Sequence, residues 1–280
     1  MREVSFGTED GVLLTGYIFE ASDPKCAVII HGATGVPCRY YQDFAAWLSE
    51  TVSANLLIYR YRDTGQLSKA QLSSSKTTMA DWGMRDQPAA LKYAVENWSD
   101  IPLHVIGHSL GGFCTLFHEN REKITSLIGV NSGLAYWRDH PLKFMPQIIL
   151  FWFLLGPMSV MLLGYLPGIL LGMKTNLPKG VYWQWRKWCT NPKLHEIEWG
   201  ESLPMPNLDL FKGHLCTISA VDDEIIPPNR VKMLTRFYPK AKSKEHIEIK
   251  PKDFGLKAIG HISIFSAKNK AVWPELIKSI

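Results

Sequence analysis

Residues 103–112, Leu-His-Val-Ile-Gly-His-Ser-Leu-Gly-Gly, constrain this chain more than any other stretch of it. The apolar run 103–106 reads as a buried strand, and residues 113–119 read as a helix. Between them stands Gly107-His108-Ser109-Leu110-Gly111, a Gly-x-Ser-x-Gly pattern in the setting it requires, a strand turning sharply into a helix. Such a turn holds the serine in a strained backbone conformation, and it needs small residues two before and two after. The hydroxyl then stands clear of the sheet, with the amide of Leu110 facing whatever the hydroxyl meets. A glycine-rich turn with an incidental serine is the plain alternative. Few chance matches sit on strand, elbow and helix at once.

The order of elements around this turn points to one architecture. Residues 4–6 and 13–19 read as strands around a Glu9-Asp10-Gly11 turn, and 26–30 as a buried strand of small and β-branched residues. Residues 40–50 carry helical periodicity, with Phe44, Trp47 and Leu48 on one face. A strand at 55–61 and a helix capped by Asp81 and running to Asn97 lead into the serine turn. A strand at 124–130 follows it. Strands at 215–220 and 246–249 come much later, with a helix at 229–237 between them and a terminal helix near 273–280. This alternation predicts a largely parallel sheet covered by helices. Residues 136–206 interrupt it, rich in aromatic and aliphatic side chains and without strand alternation. The expected organisation is therefore a domain from 1–135 and 207–280, with 136–206 inserted as a helical cap over the carboxyl edge, where open α/β sheets bind ligands.

Bulk properties narrow the partners. The chain has 280 residues, 46% hydrophobic and 20% charged, which is ordinary for a globular enzyme with a sizeable core. A net charge of +5 with scattered basic residues, loosely gathered at Lys240, Lys242, Lys244, Lys250 and Lys252, reads as a solvated face and not a nucleic-acid site. The five cysteines show no zinc-like or paired spacing, and residues 1–15 lack the apolar stretch of a secretory signal. A cytoplasmic protein without metal or organic cofactor is expected, and oligomeric state is left open.

On the elbow, the strand order, and His31-Gly32-Ala33-Thr34-Gly35 after the third strand, the chain resembles the α/β-hydrolase superfamily over essentially its whole length. It is most similar to a group of predicted serine hydrolases carrying Ala-Thr-Gly-Val-Pro, Asp-Trp-Gly and a tryptophan-rich cap ending in Trp-Cys, here at 33–37, 81–83 and 185–189. The resemblance implies an eight-stranded sheet, a cap between strands six and seven, and the chain order nucleophile, acid, histidine. Ser109 is then the nucleophile. The acid belongs in the loop after strand 215–220, where the superfamily's spacing to a proline selects Asp223 and leaves Asp222 as the alternative. His261, after Gly260 and the last strand, is the candidate base. His246 and His214 read as structural, and His108 as a residue that packs or bonds locally. An oxyanion hole needs fixed donors. The Leu110 amide is one, and the resemblance places the other at Ala33, with Thr34 the neighbouring alternative.

Residues 144–173 carry no charge and include Ile-Ile-Leu-Phe-Trp-Phe-Leu-Leu at 148–155. The length could span a bilayer, but one crossing would part the strand bearing Ser109 from the loop bearing Asp223. Gly156-Pro157 and Pro167-Gly168 predict two short pieces, a helical hairpin with basic residues at both ends (Arg138 and Lys143, Lys174 and Lys179). The segment could simply pack on the domain, line an acyl-chain pocket, or touch a membrane peripherally. Trp183, Trp185 and Trp188 are expected to pack the cap. Together these readings predict a serine hydrolase acting on an ester, thioester or amide of a hydrophobic acyl compound. An acyltransferase, a small-peptide peptidase and a ligand-binding or membrane-associated protein are the alternatives.

Overall fold

A computed structural model describes residues 1–65 and 67–280. Eight strands form one sheet: β1 (Arg2–Gly7), β2 (Leu13–Phe19), β3 (Cys26–His31), β4 (Ala54–Tyr59), β5 (Leu103–His108), β6 (Ile124–Val130), β7 (His214–Ala220) and β8 (Ser243–Ile249). They lie in the order β1-β2-β4-β3-β5-β6-β7-β8. Within this sheet, among the described residues, the β1–β2 and β2–β4 pairings are antiparallel and the others parallel. The middle strands need apolar side chains on both faces, which is why β3, β4 and β5 are buried along their whole length. The edge strand β8 instead exposes Ser243, Lys244 and Glu245, which blunts pairing with other chains.

Two apolar layers cover the sheet. On one face Phe44 and Leu48 of helix α1 (Gln42–Val52) pack with Phe265 and Trp273 of the C-terminal turns. On the other, Ala90 and Leu91 of helix α2 (Gln87–Asn97) pack with Phe113, Leu116 and Leu234. The pairings His31↔Gly107 and Gly107↔Gly129 end β3, β5 and β6 at one level. The loops that leave them therefore meet at the carboxyl edge.

Several expectations about helices change: the one after the serine starts at Leu110 and closes in a 3-10 turn at Phe117, and the C-terminal one is a run of 3-10 turns over Ala267–Ile277. Two further changes concern caps and prolines. Asp81 does not cap the helix before α2. Thr78 does, accepting from the Asp81 N–H at 3.3 Å, while the Asp81 carboxylate returns a bond to the Thr78 N–H at 2.8 Å. This is a capping box, in which two otherwise orphaned donors are satisfied reciprocally. The second change is larger. Pro157 does not break the apolar segment between β6 and β7, which forms one 22-residue helix, α3 (Leu142–Leu163). A π turn over Leu150–Leu155 precedes the proline, as another over Trp82–Asp86 precedes Pro88. A widened turn relieves the clash between the ring and the preceding carbonyls. The Trp152 carbonyl accepts from Arg186 Nε at 2.6 Å, a bond supplied by helix α4 (Lys179–Cys189). Gly164 ends α3 in the left-handed conformation.

Candidate active site

The turn after β5 has the strain its sequence predicts. Ser109 sits at φ 54°, ψ −116°, a conformation an L-residue keeps only when its surroundings enforce it. Those surroundings are close contacts that only glycine allows. A Cβ on Gly111 would lie 2.0 Å from the His31 carbonyl oxygen, and one on Gly107 would lie 2.2 Å from the Gly112 Cα. Hydrogen bonds from Ser109 N–H to the Val130 carbonyl (3.1 Å) and from Ser132 Oγ to the Ser109 carbonyl (2.7 Å) pin the backbone on both sides.

Asp223 and His261 come together from the loops after β7 and β8. His261 Nδ1 lies 2.8 Å from Asp223 Oδ2, with both residues buried. The second Asp223 oxygen accepts the Ile225 and Ile226 N–H groups at 2.7 and 2.8 Å, so the carboxylate cannot turn. Asp222 faces elsewhere and accepts the Ile259 N–H at 2.8 Å, tying down the loop ahead of the histidine. Gly260 is required there: its φ is +64°, and a Cβ would come 2.9 Å from a Glu224 carboxylate oxygen. That same oxygen accepts the His261 N–H at 3.2 Å.

Three residues that the sequence did not single out for the site hold it together. The His261 carbonyl accepts from Asn131 Nδ2 and lies 3.0 Å from His108 Nε2. A carbonyl can only accept, so His108 carries its proton on Nε2 and accepts at Nδ1. Tyr41 Oη, 2.8 Å from Nδ1, therefore donates to it and accepts the Ala33 N–H at 2.8 Å. Burial holds the His108 ring well below the usual histidine range and the Tyr41 hydroxyl well above that of tyrosine, so both are neutral. His108 thus links the elbow to a loop far away in sequence, where a purely local role was expected. Asn131, Glu224 and Tyr41 carry no sequence signal of this kind, because their partners are reached only through the tertiary fold.

The chain Ala33–Tyr41–His108 also corrects an expectation. The Ala33 N–H is committed to Tyr41 and is buried away from the cavity. Thr34 lines that cavity, and its N–H meets no acceptor among the described residues. The Leu110 N–H, first in the short helix Leu110–Phe113, has no acceptor within that helix.

Ser109 and His261 line one cavity of about 860 Å³, and no hydrogen bond joins them in the structure. Its floor is the carboxyl edge of the sheet. Ile148, Phe151 and Trp152 of α3 and Trp185 of α4 supply apolar wall. Trp188 is buried and donates to Glu198 at 2.9 Å, whereas Trp183 is 37% exposed, with its ring 5.2 Å from that of Tyr182.

The fold is that of the α/β hydrolases. An esterase from Pyrococcus furiosus matches with a TM-score of 0.58 at 16% identity, over 99% of this chain and 89% of that one. The α/β hydrolase GrgF from Penicillium sp. sh18 matches with a TM-score of 0.60 at 16% identity, over 99% and 96%. A bacterial membrane phospholipase A, described as a virulence factor, matches with a TM-score of 0.59 at 14% identity, over 99% and 85%. The sequence matches no protein-family model and no curated protein. At such identities the likeness establishes the shared fold.

Proposed function

We propose that this protein is a serine hydrolase that cleaves an ester, or the corresponding thioester or amide, of a hydrophobic acyl compound. The observation that carries this reading is the buried Asp223–His261 bond of 2.8 Å at the edge of a largely apolar cavity that Ser109 also lines. A serine hydroxyl is a weak nucleophile until a base takes its proton, and the base works only when a third group fixes its tautomer. Asp223 accepts at Nδ1 and so leaves Nε2 as the basic nitrogen. In the proposed cycle His261 takes the Ser109 proton as the oxygen attacks the acyl carbon. The imidazolium then gives that proton to the leaving group, and water hydrolyses the acyl-enzyme by the same steps. The Leu110 and Thr34 amides hold the oxyanion, with Thr34 replacing Ala33 in that role. The esterase and phospholipase among the structural relatives support the reading, as does an apolar cavity wall suited to a hydrocarbon chain.

Turnover of p-nitrophenyl esters of increasing acyl length tests it. The reading expects hydrolysis by the wild type, a kcat/KM that rises beyond acetate, and loss of turnover in Ser109→Ala. Turnover of acetate alone would overturn the hydrophobic-acyl part, and equal turnover by the variant would overturn the mechanism.

A further inference from the structure

The outer face of α3 exposes one continuous apolar strip, which includes Phe153, Leu154, Met158, Met161 and Leu162, and the following turn extends it with Ile169 and Leu170. Met161 is 69% exposed, Leu162 78% and Leu170 83%. Soluble proteins rarely leave so much contiguous apolar surface uncovered. The opposite face is not free: Trp152, Gly156 and Val160 are buried, and a Cβ on Gly156 would lie 2.2 Å from Tyr182 Oη. The helix therefore lies along the domain that carries the sheet, with one side packed on it, although its length and composition would suffice to cross a bilayer.

The charges around the strip decide what covers it. Residues 140–195 contain no aspartate or glutamate, but they contain Lys143, Lys174, Lys179, Arg186, Lys187 and Lys193. With a net charge of +5, the whole positive excess of the chain lies in this segment. Rings and cations meet along its border. Arg138 lies 4.8 Å from the Trp137 ring, which packs 5.3 Å from Phe153, and Arg186 lies 5.4 Å from the Phe153 ring. An apolar strip rimmed by cations and tryptophans matches a bilayer with an anionic headgroup layer. A second copy of the chain would bring like charges together instead.

The strip is also continuous with the cavity mouth. Leu150, Leu155 and Leu170 belong to the exposed apolar surface, and each lines the cavity that holds Ser109. We infer that α3 is an interfacial docking element. It lies in the plane of an anionic membrane with its apolar strip among the acyl chains and opens the cavity to them, so that the substrate is a membrane lipid drawn in by its acyl chain. The docking stands on the surface alone, and the choice of substrate rests on the acyl-hydrolase reading above.

Flotation of the purified full chain with phosphatidylcholine vesicles containing about one-third phosphatidylglycerol tests the docking. The proposal expects wild type to float with them, less so at high salt, and Met161→Glu with Leu162→Glu to lower binding by at least about a hundredfold. Neither residue lines the cavity, so this double variant keeps its turnover of soluble p-nitrophenyl butyrate while losing turnover of a palmitoyl ester embedded in the vesicles. Leu142→Glu, at the exposed start of α3, is a second variant for the same comparison should the first fold poorly. Wild type that stays unbound overturns the proposal. So does a dimer that the double variant dissolves, since a second copy would then be what covers the strip. Equal flotation with pure phosphatidylcholine at any salt overturns the role of charge. Vesicle binding without hydrolysis of either ester leaves the docking intact and overturns the acyl-hydrolase reading alone.

Discussion

The loops at the carboxyl edge of the sheet and the outer face of α3 are built on opposite principles. At the edge, Asp223 makes three hydrogen bonds through its two oxygens, and the backbone N–H and carbonyl of His261 are both held by side chains. Partners from the same loop and from other loops direct these groups: Ile225 and Ile226 hold one Asp223 oxygen, His261 the other, and Asn131 the His261 carbonyl. On α3 the outward side chains, apart from Phe153 against Trp137 and Arg186, are exposed, and the packed inner side holds Trp152, Gly156, Val160 and the bond from Arg186. The first region has the hydrogen-bonded order that the proposed acid–base chemistry needs. The second has an uncovered apolar face, which the proposed docking would fill.

The largest effects should come from the edge. Asp223→Asn should lower kcat by roughly 10⁴-fold, because the amide favours the wrong tautomer of His261. Asp222→Asn, adjacent in sequence, should keep kcat within about tenfold and mainly lower the melting temperature, since it loosens the Ile259 contact. Steady-state kinetics beside thermal melts separates the two, and equal losses of kcat would break the assignment. Gly111→Ala comes next. Its methyl would collide with the His31 carbonyl, so a loss of about 3 kcal/mol or more is expected in urea unfolding. Arg186→Met removes the 2.6 Å donor to the Trp152 carbonyl at the π turn and leaves it only Tyr182 Oη at 3.5 Å, which should cost about 1–3 kcal/mol while sparing the chemistry. Smallest of all, the Met161→Glu and Leu162→Glu pair should change stability in solution by no more than about 0.5 kcal/mol per site. A large loss there would show that the strip is structural.

The same contrast explains what could be read from the sequence. Chain order, apolar runs and turn chemistry are local or sequential signals. They were enough to give the eight strands and the strain at Ser109; which of the two adjacent aspartates meets His261 is a matter of loop geometry, and it is the Asp223 side chain that does. Ala33 was misplaced because its amide answers to Tyr41, whose hydroxyl is aimed only once α1 has packed and His108 has its tautomer. The hairpin expected at Gly156-Pro157 failed for a similar reason. Proline usually ends a helix, and nothing near Pro157 in sequence announces the Arg186 bond that lets this one continue. Which face of α3 would be exposed was equally hidden, because that depends on where α4 lies.

Covalent labelling tests the proposed activation of Ser109 directly, without knowledge of the substrate. The protein is incubated with a fluorophosphonate, its intact mass is measured, and the modified peptide is mapped. A single adduct on Ser109 is expected, absent in Ser109→Ala and strongly slowed in His261→Ala. A folded wild type that takes up no label, or a Ser109→Ala variant that labels as well as wild type, would contradict the proposed activation.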